Sequence, residues 1–186
     1  MSLGVRILQW NPFFKGKLAN RLIVGLSSLL VFSLSCHSSG GGSKEEIQKE
    51  IETKFNKVPM MTVEELQEEL KDSVPVMLID VRATREYKIS HLKNAIHIEE
   101  VKEIMHRFPD KKSRLVLYCS VGYRSSKVAQ KLIEEGYTKV ANLKGSLFEW
   151  INKGLPVYKG EERTNFAHPF NKKWGKLLNS EYHKYE

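Results

Sequence analysis

Apolar positions along the chain fall into two kinds of pattern, one of helical and one of strand period. From Lys44 to Lys57, Ile47, Ile51 and Phe55 recur every four positions among Glu, Lys and Gln, the spacing of a short amphipathic helix. Thr62 opens "TVEEL" with Glu65 three residues on, a capping box in which each side chain satisfies the other's free backbone N–H. A helix is therefore predicted from Val63 to Lys71. "VPVMLIDVR" then carries a continuous apolar run from Val74 to Val81, too short for a buried helix and rich in branched residues, as expected of a strand covered on both faces. A second run, "RLVLYC" from Arg114 to Cys119, leads into "RSSKVAQKLIEEG", where Val128, Leu132 and Ile133 have helical spacing and Gly136 marks the stop. Between the two runs lie a helix at "TREYKI", a short strand at "AIHI" and a helix across "EEVKEIMHRF"; after them come a strand at "KVANLKG" and a helix starting at Ser146.

Strands alternating with helices over about 100 residues predict an α/β fold, a parallel sheet with helices on both faces. In such sheets ligands bind beyond the carboxyl ends of the strands, where Asp80 and Cys119 both fall. In the tail, Trp174, Leu177, Leu178, Tyr182 and Tyr185 stand at offsets 0, 3, 4, 8 and 11, which predicts one short helix with an apolar stripe. That stripe is docked on the domain or offered to a partner or membrane surface.

Composition narrows the class. With 41% apolar and 28% charged residues the chain is neither wholly disordered nor a multi-span membrane protein. Of the net charge of +8, Arg6, Lys15, Lys17 and Arg21 contribute four within residues 1–35, which hold no acid. The remaining +4 forms no basic stripe interleaved with aromatics, so no nucleic-acid partner is expected. After Arg21, "LIVGLSSLLVFSLS" gives fourteen mostly apolar residues, the length of a signal-peptide h-region and short of the ~20 that span a bilayer. Cys36 and a Gly/Ser tether follow. This resembles a bacterial lipoprotein signal, which implies cleavage before Cys36, acylation of Cys36 and a membrane-anchored protein of the cell envelope with its domain in the periplasm. The alternatives are an uncleaved N-terminal anchor and a cytoplasmic protein. The expected organisation is a signal peptide over 1–35, a tether and amphipathic helix over 36–57, a domain over 58–158, and a C-terminal extension over 159–186 with a short aromatic helix.

Lipidation of Cys36 would leave Cys119 as the only thiol, which excludes an internal disulfide, a C-x-x-C redox pair and a cysteine-rich zinc site. His97, His106, His168 and His183 are scattered without H-x3-H spacing, so no metal site is expected, and nothing calls for a cofactor.

The chemistry concentrates in "YCSVGYRSS", residues 118–126. A cysteine in a strand-to-helix turn faces unpaired backbone N–H groups; with the helix dipole and Arg124 these lower a thiol's pKa and stabilise an anion at the sulfur. Gly122 suits a turn that needs positive φ, and Ser125 and Ser126 suit the first helical turn as caps. The plainer alternative is a buried apolar Cys119 beside a surface arginine.

Two longer stretches carry a family resemblance, "LIDVRATREYKISHLKNAIHI" and "LVLYCSVGYRSSKVAQKLIEEGYTKVANLKGSLFEWINKGLPV". In order and spacing, over about Met60 to Val157, they resemble the rhodanese family. The resemblance implies a rhodanese-like domain with a five-stranded parallel sheet, and a sulfurtransferase in which Cys119 takes the outer sulfur of a donor such as thiosulfate and passes it, as a persulfide, to a thiol or cyanide acceptor. The loop of Ser120, Val121, Gly122, Tyr123, Arg124 and Ser125 would hold the persulfide's charge, with Arg124 as its anchor. Asp80, Arg82, Glu86 and His91 match a cluster that ties loops around the cleft, a role that for His91 stands ahead of proton transfer. Apart from the resemblance, Arg82, Arg85 and Lys88 either place positive charge near the cleft to draw an anionic donor or form a solvated helix face. Ser90 stands where the family usually has glycine. Phosphatases of this fold use C-x5-R; this chain has four residues between Cys119 and Arg124, a ring that suits a bare sulfur better than a phosphate and ranks phosphatase or arsenate reductase lower. The competing class is a non-catalytic rhodanese-like module that binds a partner or senses oxidants at the envelope. Oligomeric state is not legible.

Overall fold

The computed structural model describes residues 42–72 and 75–186; the expected signal segment, Cys36 and most of its tether lie outside the described residues. Helix α1 (Lys44–Lys54) precedes β1 (Met60–Met61), α2 (Val63–Glu69), β2 (Met77–Asp80), α3 (Thr84–Ile89), β3 (Ile96–His97), α4 (Val101–Arg107), β4 (Leu115–Tyr118), α5 (Tyr123–Glu134), β5 (Val140–Leu143) and α6 (Ser146–Asn152). A hairpin of β6 (Val157–Lys159) and β7 (Glu162–Thr164) follows, then α7 (Lys172–Gly175) and a 3₁₀ turn at Ser180–Tyr182. The Thr62–Glu65 capping box starts α2: Thr62 Oγ1 accepts the Glu65 N–H at 3.2 Å and Glu65 accepts the Thr62 N–H at 2.7 Å. Gly136, with φ 91°, lies just beyond the end of α5.

Five strands form one parallel sheet in the order β1-β5-β4-β2-β3. Each crossover carries a helix, and α2 and α6 cover one face while α1, α4 and α5 cover the other. All four residues of β4 are buried, which is why its sequence is an unbroken apolar run. Its side chains alternate between the faces: Val116 and Tyr118 join the core with Leu66, Leu147 and Phe148, while Leu115, Leu117 and Cys119 join that of Ile79, Ile104 and Leu132. Asp80 pairs with Tyr118 in register, so β2 and β4 end side by side and Cys119 is the next residue out.

Three features depart from expectation. Strand β1 is two residues long, below the length at which an apolar pattern is visible, and the β6–β7 hairpin, turning at Gly160 with φ 61°, was not read from the sequence. The tail is not a single helix. Asn152 accepts the Asn179 N–H and donates to the Leu177 carbonyl, and Ala167 pairs with the Tyr182 and Lys184 backbone, so the chain leaves the helical path after Gly175. Trp174, Leu177, Leu178 and Tyr182 still pack on the α2/α6 side of the core; Tyr185 is exposed. No helix among the described residues is long and apolar enough to cross a membrane.

Candidate active site

Cys119 sits where β4 hands over to α5, and the turn is closed by Gly122, which takes φ 105° as the N-cap of α5. That backbone brings the Gly122 N–H to 3.2 Å from Cys119 Sγ. From the other side the β5–α6 junction clamps the cysteine's backbone: the Cys119 N–H donates to Ser146 Oγ, which donates to the Leu143 carbonyl, and the Leu147 N–H donates to the Cys119 carbonyl. Cys119 is buried, 1% exposed. Burial pushes its thiol up, but the charge of Arg124, the Ser125 hydroxyl and amide and the Gly122 amide outweigh it and hold the thiol below its ordinary value.

Arg124 is fixed by Glu86, a buried residue of α3, through two hydrogen bonds of 2.8 Å, and donates a third to Ser120 Oγ at 3.1 Å. The Ser120 hydroxyl donates to the same carboxylate at 3.0 Å, closing a triangle that locks the loop. Burial raises the Glu86 carboxyl; its bonds to Arg124 and the charges of Arg124 and Arg82 overcome this and keep it below the usual range. The anchor therefore spans two elements that meet only because β2 and β4 end side by side.

Asp80 and Arg82 form a second ion pair, fully buried, with Nη2 to Oδ2 at 2.6 Å and Nε to Oδ1 at 2.9 Å. Arg82 also donates to the Ser90 carbonyl. Expected to help draw an anion, Arg82 is instead enclosed and neutralised by Asp80; Arg85 and Lys88 are exposed. Ser90 has φ −167°, extended backbone that any residue adopts, so the departure from glycine leaves the turn intact. His91 stacks on Tyr87 at 4.2 Å, its Nδ1 lies 2.9 Å from the Leu92 carbonyl, and its backbone pairs with Tyr158; these contacts tie loops together and none reaches Cys119. Ser125 and Ser126 are not caps: Gly122 holds that position, and both serines are buried inside the first turns of α5.

A cavity of 210 Å³ opens onto Cys119, lined by Cys119, Ser120, Val121, Tyr123, Arg124, Phe170 and Trp174. The last two come from the extension. The Arg124 guanidinium carbon lies 4.7 Å from the centre of the Phe170 ring. Sequence reasoning gave the stripe containing Trp174 no place in the site and passed over Phe170 and Ser146. "KGS" after a strand was the available sign for Ser146; for Phe170 there was none, since its place depends on the fold of the tail.

The profile of the family described as rhodanese-like domain matches residues 62–153. A sulfurtransferase of Allochromatium vinosum is 31% identical over 104 residues, covering 53% of this chain and 92% of that protein. The thiosulfate sulfurtransferase GlpE of Actinobacillus pleuropneumoniae is 33% identical over 92 residues, covering 48% of this chain and 83% of its own. A tRNA uridine(34) hydroxylase of Cronobacter sakazakii is 31% identical over an alignment of 99 residues that covers 46% of this chain and 28% of that protein. The structure of a thiosulfate sulfurtransferase from Pseudomonas aeruginosa superposes with a TM-score of 0.55 at 22% identity, covering 72% of this chain and 26% of that one, a likeness of fold alone.

Proposed function

The chain belongs to the rhodanese-like domain family, and from that premise we propose that it moves a sulfane sulfur from a donor to a nucleophilic acceptor through a persulfide on Cys119. The carrying observation is the loop itself: a thiol held below its ordinary value, an amide directed at its sulfur, and Arg124 anchored beside it in a ring of four intervening residues. With thiosulfate, the Cys119 thiolate attacks the outer sulfur, the S–S bond of the donor breaks, and its electron pair leaves with sulfite. The persulfide then gives its outer sulfur to a thiolate or cyanide, and Cys119 leaves as the thiolate that began the cycle. Thiolate and persulfide anion carry the same charge at nearly the same place, so one fixed set of donors serves both steps.

In this reading Ser120 through Ser125 hold the anion, while Glu86 and the Asp80–Arg82 pair keep the loop in shape. Thiocyanate formation from thiosulfate and cyanide tests it. Turnover in the wild type that disappears in Cys119→Ser is expected; an intact, titratable thiol without turnover on thiosulfate, mercaptopyruvate or polysulfide would favour the binding module. We also propose, from the sequence pattern alone, that Cys36 is acylated and tethers the domain at the cell envelope.

A further inference from the structure

The cavity at Cys119 is completed by a part of the chain outside the matched residues 62–153. Phe170 and Trp174 line it together with Val121 and Tyr123, and the lining is almost wholly apolar. Arg124 is the only charged residue among the seven that line it, and that charge is already engaged: Glu86 takes it with two hydrogen bonds and Phe170 covers it. A dianion such as thiosulfate would shed its water against this apolar lining, where the one lining cation is already paired with Glu86, whereas an apolar group would gain contact with both rings. The volume is in proportion. An apolar cavity of about 150 Å³ holds benzene, and this one measures 210 Å³.

The aromatic wall is held in place by specific bonds. Phe170 has φ 66°, a left-handed conformation that a bulky residue adopts only when its surroundings impose it. The Phe170 N–H donates to Nδ1 of buried His168 at 2.9 Å, and Asn171 caps α7 by accepting the N–H groups of Lys173 and Trp174. Gly175 lets that turn lie close on Pro169, since a Cβ there would meet the proline's Cβ at 2.9 Å.

We propose that Phe170 and Trp174 determine donor specificity, selecting a sulfur carrier whose leaving portion bears an apolar organic group, such as an organic thiosulfonate, over inorganic thiosulfate. The inference rests on the sulfur-transfer reading. The Cys119 thiolate attacks the terminal sulfur of R–SO2–S⁻, an S–S bond forms to Cys119, and the bond to the sulfonyl sulfur breaks with its electron pair leaving as the sulfinate R–SO2⁻. Charge is conserved and no outside oxidant or proton is needed. The R group lies in the cavity against the two rings while the departing charge faces outward to water.

The test loads the full chain with benzenethiosulfonate or thiosulfate and follows the Cys119 persulfide by intact mass, each rate divided by that donor's rate with N-acetylcysteine. The wild type should favour the aryl donor at least tenfold, and Phe170→Ala and Trp174→Ala should each cut that ratio at least fivefold, with thermal unfolding confirming that the variants fold. No preference in the wild type, or a ratio unchanged in both folded variants, would overturn the proposal. Should neither donor load Cys119 this donor preference fails, and should mercaptopyruvate and polysulfide also fail to load it the sulfur-transfer reading fails with it. Alkylation by N-benzyliodoacetamide against iodoacetate then reads the wall separately: a preference lost in the variants retains Phe170 and Trp174 as selectors of apolar ligands, and equal rates remove that role too.

Discussion

Cys119 lies between opposed influences: burial disfavours the thiolate, while Arg124, Ser125 and the Gly122 amide favour it and prevail. Its alkylation by iodoacetamide should therefore rise with pH about a midpoint below the ordinary thiol value of ~8.5, and Arg124→Gln should move that midpoint upward; an unmoved midpoint would remove Arg124 from the explanation. The same shift has a stability consequence with a definite sign. Because the folded-state value is depressed, the thiolate's contribution is complete above the unfolded-state pKa and is lost as pH falls through the folded one. Stability relative to Cys119→Ser should accordingly rise with pH across that window. The Asp80–Arg82 pair is enclosed, and neither partner meets water. Asp80→Ala would strand a buried guanidinium and lower unfolding stability by about 3–5 kcal/mol in urea titrations; a loss under about 1 kcal/mol would mean that the charge finds another partner.

At the scale of elements, the strand-to-helix turn depends on Gly122. Alanine there would take φ 105° and bring its Cβ to 3.2 Å from Asn142 Nδ2 on β5, so Gly122→Ala should cost at least about 1 kcal/mol. It should also raise the Cys119 midpoint by withdrawing the amide from the sulfur; a variant with an unchanged midpoint would show that the amide does not act. This turn was legible in the sequence because strand, glycine and helix each leave a local mark, as do the unbroken apolar run of β4 and the capping box of α2. What could not be read depends on contacts distant in sequence. Strand β1 has too few residues to show a period. Arg82 appeared available to an anion until register and burial enclosed it with Asp80. Of the tail's five apolar offsets Trp174, Leu177, Leu178 and Tyr182 dock on the domain and Tyr185 does not, and the bonds from Asn152 and Ala167, which end the helix, have no local signature.

For the described domain as a whole, the family-like part and the extension share one core: Leu178 and Ala167 are buried in the cluster that holds Leu147 and Trp150. Removing residues 159–186 would delete Ala167, Leu178 and the packed face of Trp174 and return to water the part of the Leu147–Trp150 cluster that they cover. At about 1.5–3 kcal/mol per large apolar side chain, this predicts a loss of at least ~3 kcal/mol. At roughly 2–4 °C per kcal/mol the melting temperature should fall by about 10 °C, which scanning calorimetry would detect. An unchanged melting temperature would mean that the extension is dispensable to the core. The proposed anchor has a separate readout, since mass spectrometry of the membrane fraction should find an acylated Cys36 as the N-terminus, and a chain still beginning at Met1 or Ser2 would oppose it. The central claim is sulfur carriage by Cys119, and intact mass after incubation with a sulfane donor and removal of the excess tests it most directly. The account predicts a gain of one sulfur, roughly 32 Da, reversed by cyanide or thiol and absent from Cys119→Ser; a folded wild type that gains nothing from any donor would contradict it.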